Sequence, residues 1–256
     1  MNDVPQAGAA LPSRFFLPVP PLRFCSDATR AEEGLFRAAA AGQAVAQLWH
    51  APLSLVAPVS YRRFAGFAQV CQDFAADGCP VLLRKSGGGL VPQGPGIINL
   101  SLAYPTDRAF GDAAEDVYRH LCGILTDGLA QLGIATGWQA VAGSFCDGRY
   151  NLACGSGAQA RKIAGTAQYW RAVPYADGRR ERRHIVLAHA LLLVDCDLLA
   201  AHRLANEFES RLGTGRVYQV DKTVSVAQCF NAPVAQLVAS VAEALITRIA
   251  GSRAPL

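Results

Sequence analysis

The stretch Arg161-Lys162-Ile163-Ala164-Gly165-Thr166-Ala167-Gln168 decides how the rest of the chain is read. It sets one lysine on a short extended segment, followed at once by small residues. Gly165 and Ala167 leave a ligand room to approach the backbone, where larger side chains would block it. A lysine beside exposed N–H groups suits the stabilisation of a developing oxyanion, or of a bound carboxylate or thioester oxygen. The plainer alternative is an exposed lysine on an edge strand, since lysines are mostly exposed.

Around that stretch are 256 residues, 51% of them hydrophobic, enough for a sizeable core in one α/β domain or two small ones. The net charge of +4 is mild. It does not call for nucleic acid, though it would steer an acidic protein partner favourably. Arginines cluster only at Arg179-Arg180 and Arg182-Arg183, which reads as a solvated loop or hairpin tip. Eight cysteines form no C-x-x-C pair, and five histidines form no H-x-x-x-H or H-E-x-x-H pattern, so no metal site is expected. Reduced thiols in a cytoplasmic protein are the default reading. No signal peptide is recognisable. The longest apolar run, Ile185–Val194, is interrupted by His189 and is too short to span a bilayer, so no membrane contact is expected.

Taken in order, residues 1–22 are rich in Pro and Ala and read as an irregular arm, leaving 23–256 as one domain. Thr29 with Glu32 resembles a capping box, opening a helix to about Ala41. Val45–Trp49 and Leu53–Ala57 are candidate strands. Phe64, Phe67, Cys71 and Phe74 recur at helical spacing, so Tyr61–Ala76 reads as a helix with Cys71 in the core. Pro80–Arg84 and Ile97–Tyr104 read as strands separated by glycine turns. Strands, not helices, follow those glycines, and their spacing fits neither G-x-G-x-x-G nor G-x-x-x-x-G-K-[ST], which excludes a Rossmann or P-loop site. Asp112 with Glu115 caps a helix to about Gly133. Gln139–Ala142 and Tyr150–Cys154 read as strands, and Arg161–Ala172 and Arg183–Val194 as longer extended segments. Asp197–Leu212 is a helix, and Asn231 with Pro233 opens the last, Val234–Ala250. Strands and helices do not alternate strictly, which predicts an α+β fold: a central mixed sheet with helices packed on it.

Three segments carry a resemblance. They are Arg84-Lys85-Ser86-Gly87-Gly88-Gly89; Tyr150-Asn151-Leu152 with the Lys162 stretch; and His189-Ala190-Leu191-Leu192-Leu193. In this order they resemble the lipoate–protein ligase A and octanoyltransferase family, within the biotin/lipoate attachment superfamily, over roughly residues 27–250. The resemblance implies a single catalytic domain and an acyl tail lying over the Gly87–Gly89 turn. Burial of an eight-carbon chain at ~0.8 kcal/mol per CH₂ would contribute several kcal/mol. The family's lysine corresponds to Lys162, which would hold the acyl oxygen as charge builds on it. Arg84, Ser86, Gly87, Gly88, Gly89, Asn151, Gly165, Thr166, Ala167 and His189 would line the pocket. Read without the resemblance, His189 is equally a core histidine and Asn151 a strand-edge amide.

The family contains two chemistries. Ligases adenylate a free acid with ATP and Mg. Transferases move an octanoyl group from a carrier protein through an acyl-cysteine and need no nucleotide or tightly bound cofactor. Single-chain ligases usually carry an accessory domain, and only six residues follow Ala250 here; a ligase would then work with a small accessory subunit or without one. Cys146, in Ser144-Phe145-Cys146-Asp147-Gly148, stands where one octanoyltransferase branch has its nucleophile. Lys162 would favour its thiolate and Asp147 oppose it. Cys146 read alone is an ordinary small loop residue, and Cys196 and Cys229 are weaker candidates by position. The reading favoured is octanoyl or lipoyl transfer through Cys146 to a lysine of a lipoyl domain, with acyl carrier protein as a donor. ATP-dependent ligation is the alternative, and a non-catalytic lipoyl-binding protein a third.

Overall fold

A computed structural model describes residues 14–28, 30–85, 87–174 and 182–255. In chain order the strands are Leu22–Phe24 (β1), Val45–His50 (β2), Ser54–Pro58 (β3), Val81–Arg84 (β4), Val91–Gln93 (β5), Ile97–Thr106 (β6), Gly137–Trp138 (β7), Leu152–Cys154 (β8), Arg161–Pro174 (β9) and Arg182–Leu193 (β10). The helices are Glu33–Ala40 (α1), Phe67–Ala76 (α2), Phe110–Ala130 (α3), Leu198–Arg211 (α4) and Leu237–Gly251 (α5).

The strands form a seven-stranded sheet in the order β1-β2-β6-β10-β9-β8-β7 and a three-stranded sheet in the order β4-β3-β5. Both are mixed: β1 runs parallel to β2 and β3 parallel to β4, and the other pairs are antiparallel. The fold is therefore the expected mixed sheet with flanking helices.

Period-two alternation on β6 and β10 separates a dry face from a working face. Ile98, Leu100, Leu102 and Tyr104, with Val186, Ala188, Ala190 and Leu192, pack against Val117, Leu121 and Leu125 of α3 and Val241 and Leu245 of α5. The opposite positions, Asn99 and Ser101 on β6 and Leu187, His189, Leu191 and Leu193 on β10, face the small sheet and α1. That second layer has its own core, where Leu55, Ala57 and Leu90 meet Phe74 of α2 and Phe208 of α4. Two separate cores leave a space between the sheets, and that space holds the site.

Several boundaries depart from the sequence reading. The second helix starts at Phe67, not Tyr61, because Gly66 turns left-handed (φ 74) after a 3₁₀ turn over Val59–Arg63. Asp112 lies in the first turn of α3, whose cap is Ala109. The strand expected at Gln139–Ala142 is instead Gly137–Trp138; Gln139 still donates its N–H to Asn151 O (2.8 Å). The last helix starts at Leu237 after a left-handed Gln236, so Asn231 and Pro233 stand outside it. Asp197 caps α4 as expected, accepting from Ala200 N–H (2.9 Å).

Of the N-terminal arm, residues 1–13 lie outside the described residues. From Arg14 onward it is tied to the body: Phe15 is buried against Tyr104, Phe16 bridges Val45, and β1 adds an edge strand. Thr29 and the Arg179-Arg180 pair also lie outside the described residues. Arg182 and Arg183 open β10.

Candidate active site

Lys162 lies one residue into β9 and is 3% exposed. Its chain folds into the space that a side chain at Gly165 would take: a Cβ there would meet Nζ at 3.0 Å and Cε at 3.2 Å. The glycine thus accommodates the lysine itself. Burial, with some help from the Arg84 charge, lowers the amine to about 8, against the pull of Cys146 and Asp147.

The Lys162 ammonium donates to the backbone carbonyls of Phe145 and Cys146, the latter at 3.0 Å. Asn151 Nδ2 (2.9 Å) and Gly148 N–H (2.8 Å) donate to the same Cys146 oxygen. Three donors therefore hold Cys146 in the left-handed region (φ 48), which a residue with a Cβ seldom occupies. Gly89 N–H donates to the Cys146 sulfur (3.3 Å). A Cβ on Gly88, itself left-handed at φ 98, would lie 2.5 Å from that sulfur. The glycine turn is fastened from behind by Arg84, whose guanidinium donates to Val56 O (2.8 Å), Gly87 O (3.0 Å) and Gly89 O (2.5 Å).

Below the turn is a fully buried carboxylate. Glu209 accepts from Tyr61 (2.7 Å), Tyr218 (2.6 Å) and Thr214 (2.5 Å), and Arg216 donates to the Tyr61 hydroxyl. The Tyr218 hydroxyl lies 3.4 Å from where a Gly89 Cβ would be, so this cluster packs against the turn. Sequence reasoning missed Glu209. Its signal was a glutamate beside the buried positions Ala201, Ala205, Phe208 and Leu212 of α4.

A cavity of about 600 Å³ is lined by Lys162, Cys146, Asn151, Arg84, Gly165, Thr166, Ala167 and His189. Gly165, Thr166, Ala167, Gln168, Tyr169 and Arg171 of β9 line it, so it runs roughly 20 Å beside the strand. Trp49, Val56, Leu83, Val91, Leu191 and Leu193 make its walls apolar, and Phe36 and Arg37 extend it. The glycine turn departs from the expectation. Gly87, Gly88 and Gly89 do not line the cavity: Gly87 and Gly88 are exposed, and Gly89 is buried against Cys146, Tyr218 and Arg216. Ser86 lies outside the described residues.

His189 faces the cavity, and its Nδ1 is 2.9 Å from Glu32 Oε1 and 3.2 Å from Ser101 Oγ. Ser101 donates to Glu32 (2.7 Å) and accepts from the Trp49 indole N–H (3.0 Å). Burial alone would raise the Glu32 carboxyl, but the His189 charge and the bonds from His189 and Ser101 prevail and hold it below its ordinary value. The capping-box reading of Glu32 concealed this role. Among the described residues, no group of three or more His, Cys, Asp or Glu is placed to hold a metal.

A buried amine, a thiol and a largely apolar slot therefore meet at one cavity. The chain belongs to the lipoyl protein ligase A/B catalytic domain family, whose model matches residues 32–249. It is thus a catalytic domain of protein lipoylation. It is 54% identical over 211 residues to an uncharacterized protein of Cupriavidus necator, covering 81% of this chain and 82% of that one. It is 42% identical over 132 residues to an octanoyl-[GcvH]:protein N-octanoyltransferase of Kyrpidia tusciae, covering 52% of this chain and 43% of that enzyme. Among solved structures, the fold resembles a putative lipoate protein ligase of Thermoplasma acidophilum with bound lipoic acid. That likeness has a TM-score of 0.62 at 16% identity, over 94% of this chain and 85% of that one.

Proposed function

We propose that this domain transfers an octanoyl or lipoyl group to a lysine of a lipoyl domain through a thioester on Cys146. The observation that carries the reading is the placement of Cys146: on the cavity wall, backbone left-handed, carbonyl held by three donors, sulfur facing the Gly89 N–H. The thiolate is the form that attacks, and that N–H points at the sulfur that carries it.

The Cys146 thiolate attacks the donor's acyl carbon, and the bond from that carbon to the donor breaks as the leaving group takes a proton. The acceptor lysine then attacks the thioester as a free amine. It forms an amide, releases the thiolate and gives up its proton. An ammonium has three donors. Two of Lys162's go to the Phe145 and Cys146 carbonyls, which leaves the third for the acyl oxygen as charge builds there. Lys162 therefore both shapes the nucleophile loop and serves the reacting carbonyl. The tail lies in the groove along Gly165 and Ala167, between Trp49 and Leu191.

Transfer of this kind uses no ATP or Mg. Its donor is an acylated carrier protein, either acyl carrier protein or, as the name of the Kyrpidia relative indicates for that enzyme, an octanoylated GcvH. No helix of the described residues is long and apolar enough to cross a membrane. All eight cysteines are free, and we place the reaction in the cytoplasm.

The test is transfer from an octanoylated carrier to a lipoyl domain without nucleotide, by wild type and Cys146→Ala. We expect transfer by wild type and its loss in the variant. Modification only with ATP and free acid, undiminished in Cys146→Ala, would establish the ligase instead, with ATP, Mg and an accessory subunit to be sought.

A further inference from the structure

Cys154 and Cys229 stand outside the cavity that holds Cys146 and Lys162, yet their sulfurs lie 3.9 Å apart across 75 residues of chain. Cys154 ends β8 opposite Arg161, and Cys229 ends a 3₁₀ turn over Ala227–Cys229. Both are partly exposed. A depression of about 480 Å³ opens beside Cys154, lined by Arg161, Lys222, Asp221 and Gln159. A disulfide needs its sulfurs about 2 Å apart, so a movement of roughly that size closes the pair.

We propose that Cys154 and Cys229 are a thiol pair that a hydroperoxide converts to a reversible disulfide. The two sulfurs are not equivalent. The Cys154 S–H bond, and after it the Arg161 guanidinium, hold Cys229 below the ordinary thiol range against the effect of burial. That same bond, and burial, push Cys154 up. Either sulfur can donate in this contact; with Cys154 as the donor, Cys229 is the attacking sulfur and Cys154 the resolving one.

The Cys229 thiolate attacks one peroxide oxygen. The O–O bond breaks, the other oxygen leaves as alcohol or water after taking a proton, and Cys229 becomes a sulfenic acid. Cys154 then gives up its proton and attacks the sulfenic sulfur, and the S–O bond breaks with loss of water. The two thiols lose two electrons and two protons, and the hydroperoxide is reduced. A dithiol returns the pair to thiols.

The location gives the bond a structural effect. Ala153, next to Cys154, is registered with Lys162 on one side of β9. On the other side Thr223 bridges Lys162, and Val224 N–H donates to Lys162 O (2.9 Å), five residues before Cys229. The disulfide would tie together the two segments that flank the Lys162 backbone. Neither cysteine lines the acyl cavity.

The experiment treats the reduced full chain with stoichiometric hydrogen peroxide, alkylates it and maps its peptides. The expected result is a Cys154–Cys229 linked peptide, with the protein lighter by two hydrogens and restored by dithiothreitol. Cys154→Ser should instead accumulate a Cys229 sulfenic acid that dimedone traps, and the melting temperature of wild type, not of this variant, should rise on oxidation. Both cysteines still alkylatable after the peroxide is consumed, a link formed only in denaturant, or a different pairing would overturn the proposal.

Discussion

Gly88 and Lys162 carry the most direct consequences at the scale of single residues. An alanine at Gly88 would put a methyl 2.5 Å from the Cys146 sulfur and at φ 98, so the thiol must swing off the Gly89 N–H. Gly88→Ala should lower the transfer rate by about tenfold or more, a barrier increase of about 1.4 kcal/mol; a wild-type rate would show that the sulfur's contact with the turn is dispensable. Lys162 makes a pH prediction. Its folded value, about 8, lies below the ordinary 10.5. Below pH 8 both folded and unfolded chains hold the proton, and the buried charge costs the fold roughly 3 kcal/mol. Between pH 8 and 10.5 the unfolded chain binds more protons, so stability rises with pH. Urea unfolding from pH 7 to 10 should show wild type gaining on Lys162→Met; a constant gap would contradict a buried ammonium. The sequence displayed Lys162, Asn151, Cys146 and His189, and the structure gathers all four at one cavity. It did not display the Glu32–His189 pair or Glu209, because each depends on contacts between distant segments: Tyr61 reaches Glu209 across 148 residues.

At the scale of elements, apolar spacing, caps and glycine stops located α1 to α5, the alternating run Ile97–Tyr104 falls within β6, and the two long extended segments are β9 and β10. Helix starts were less legible. α2 and α5 begin after left-handed Gly66 and Gln236 with no side-chain cap, so no Ser, Thr, Asp or Asn announces them. α4 is the opposite case, with Asp197 both legible and bonded to Ala200 N–H. Asp197→Ala should therefore cost about 1 kcal/mol in urea unfolding; no change would mean that water replaces the cap at no cost. The triple-glycine turn was legible as a turn, but not as a support. Its small residues admit Cys146 and Tyr218, which the linear sequence places 57 and more residues away.

At the scale of the molecule, two layers with separate cores enclose a slot that opens along β9. One layer supplies Lys162, Gly165 and His189, and the other supplies Arg84 and the turn beneath Cys146. The mixed-sheet class was legible because strands and helices do not alternate. The division into a seven-stranded and a three-stranded sheet was not, since pairing partners are a property of the folded chain. Transfer through a thioester, as proposed, requires the Cys146 thiol to accept the acyl group before any acceptor is present. Intact mass spectrometry after incubation with an octanoylated carrier, without nucleotide or acceptor, tests this directly. One added octanoyl group, mapped to Cys146 and absent from Cys146→Ala, is the predicted result; an unmodified wild-type chain that still transfers when a lipoyl domain is added would contradict it.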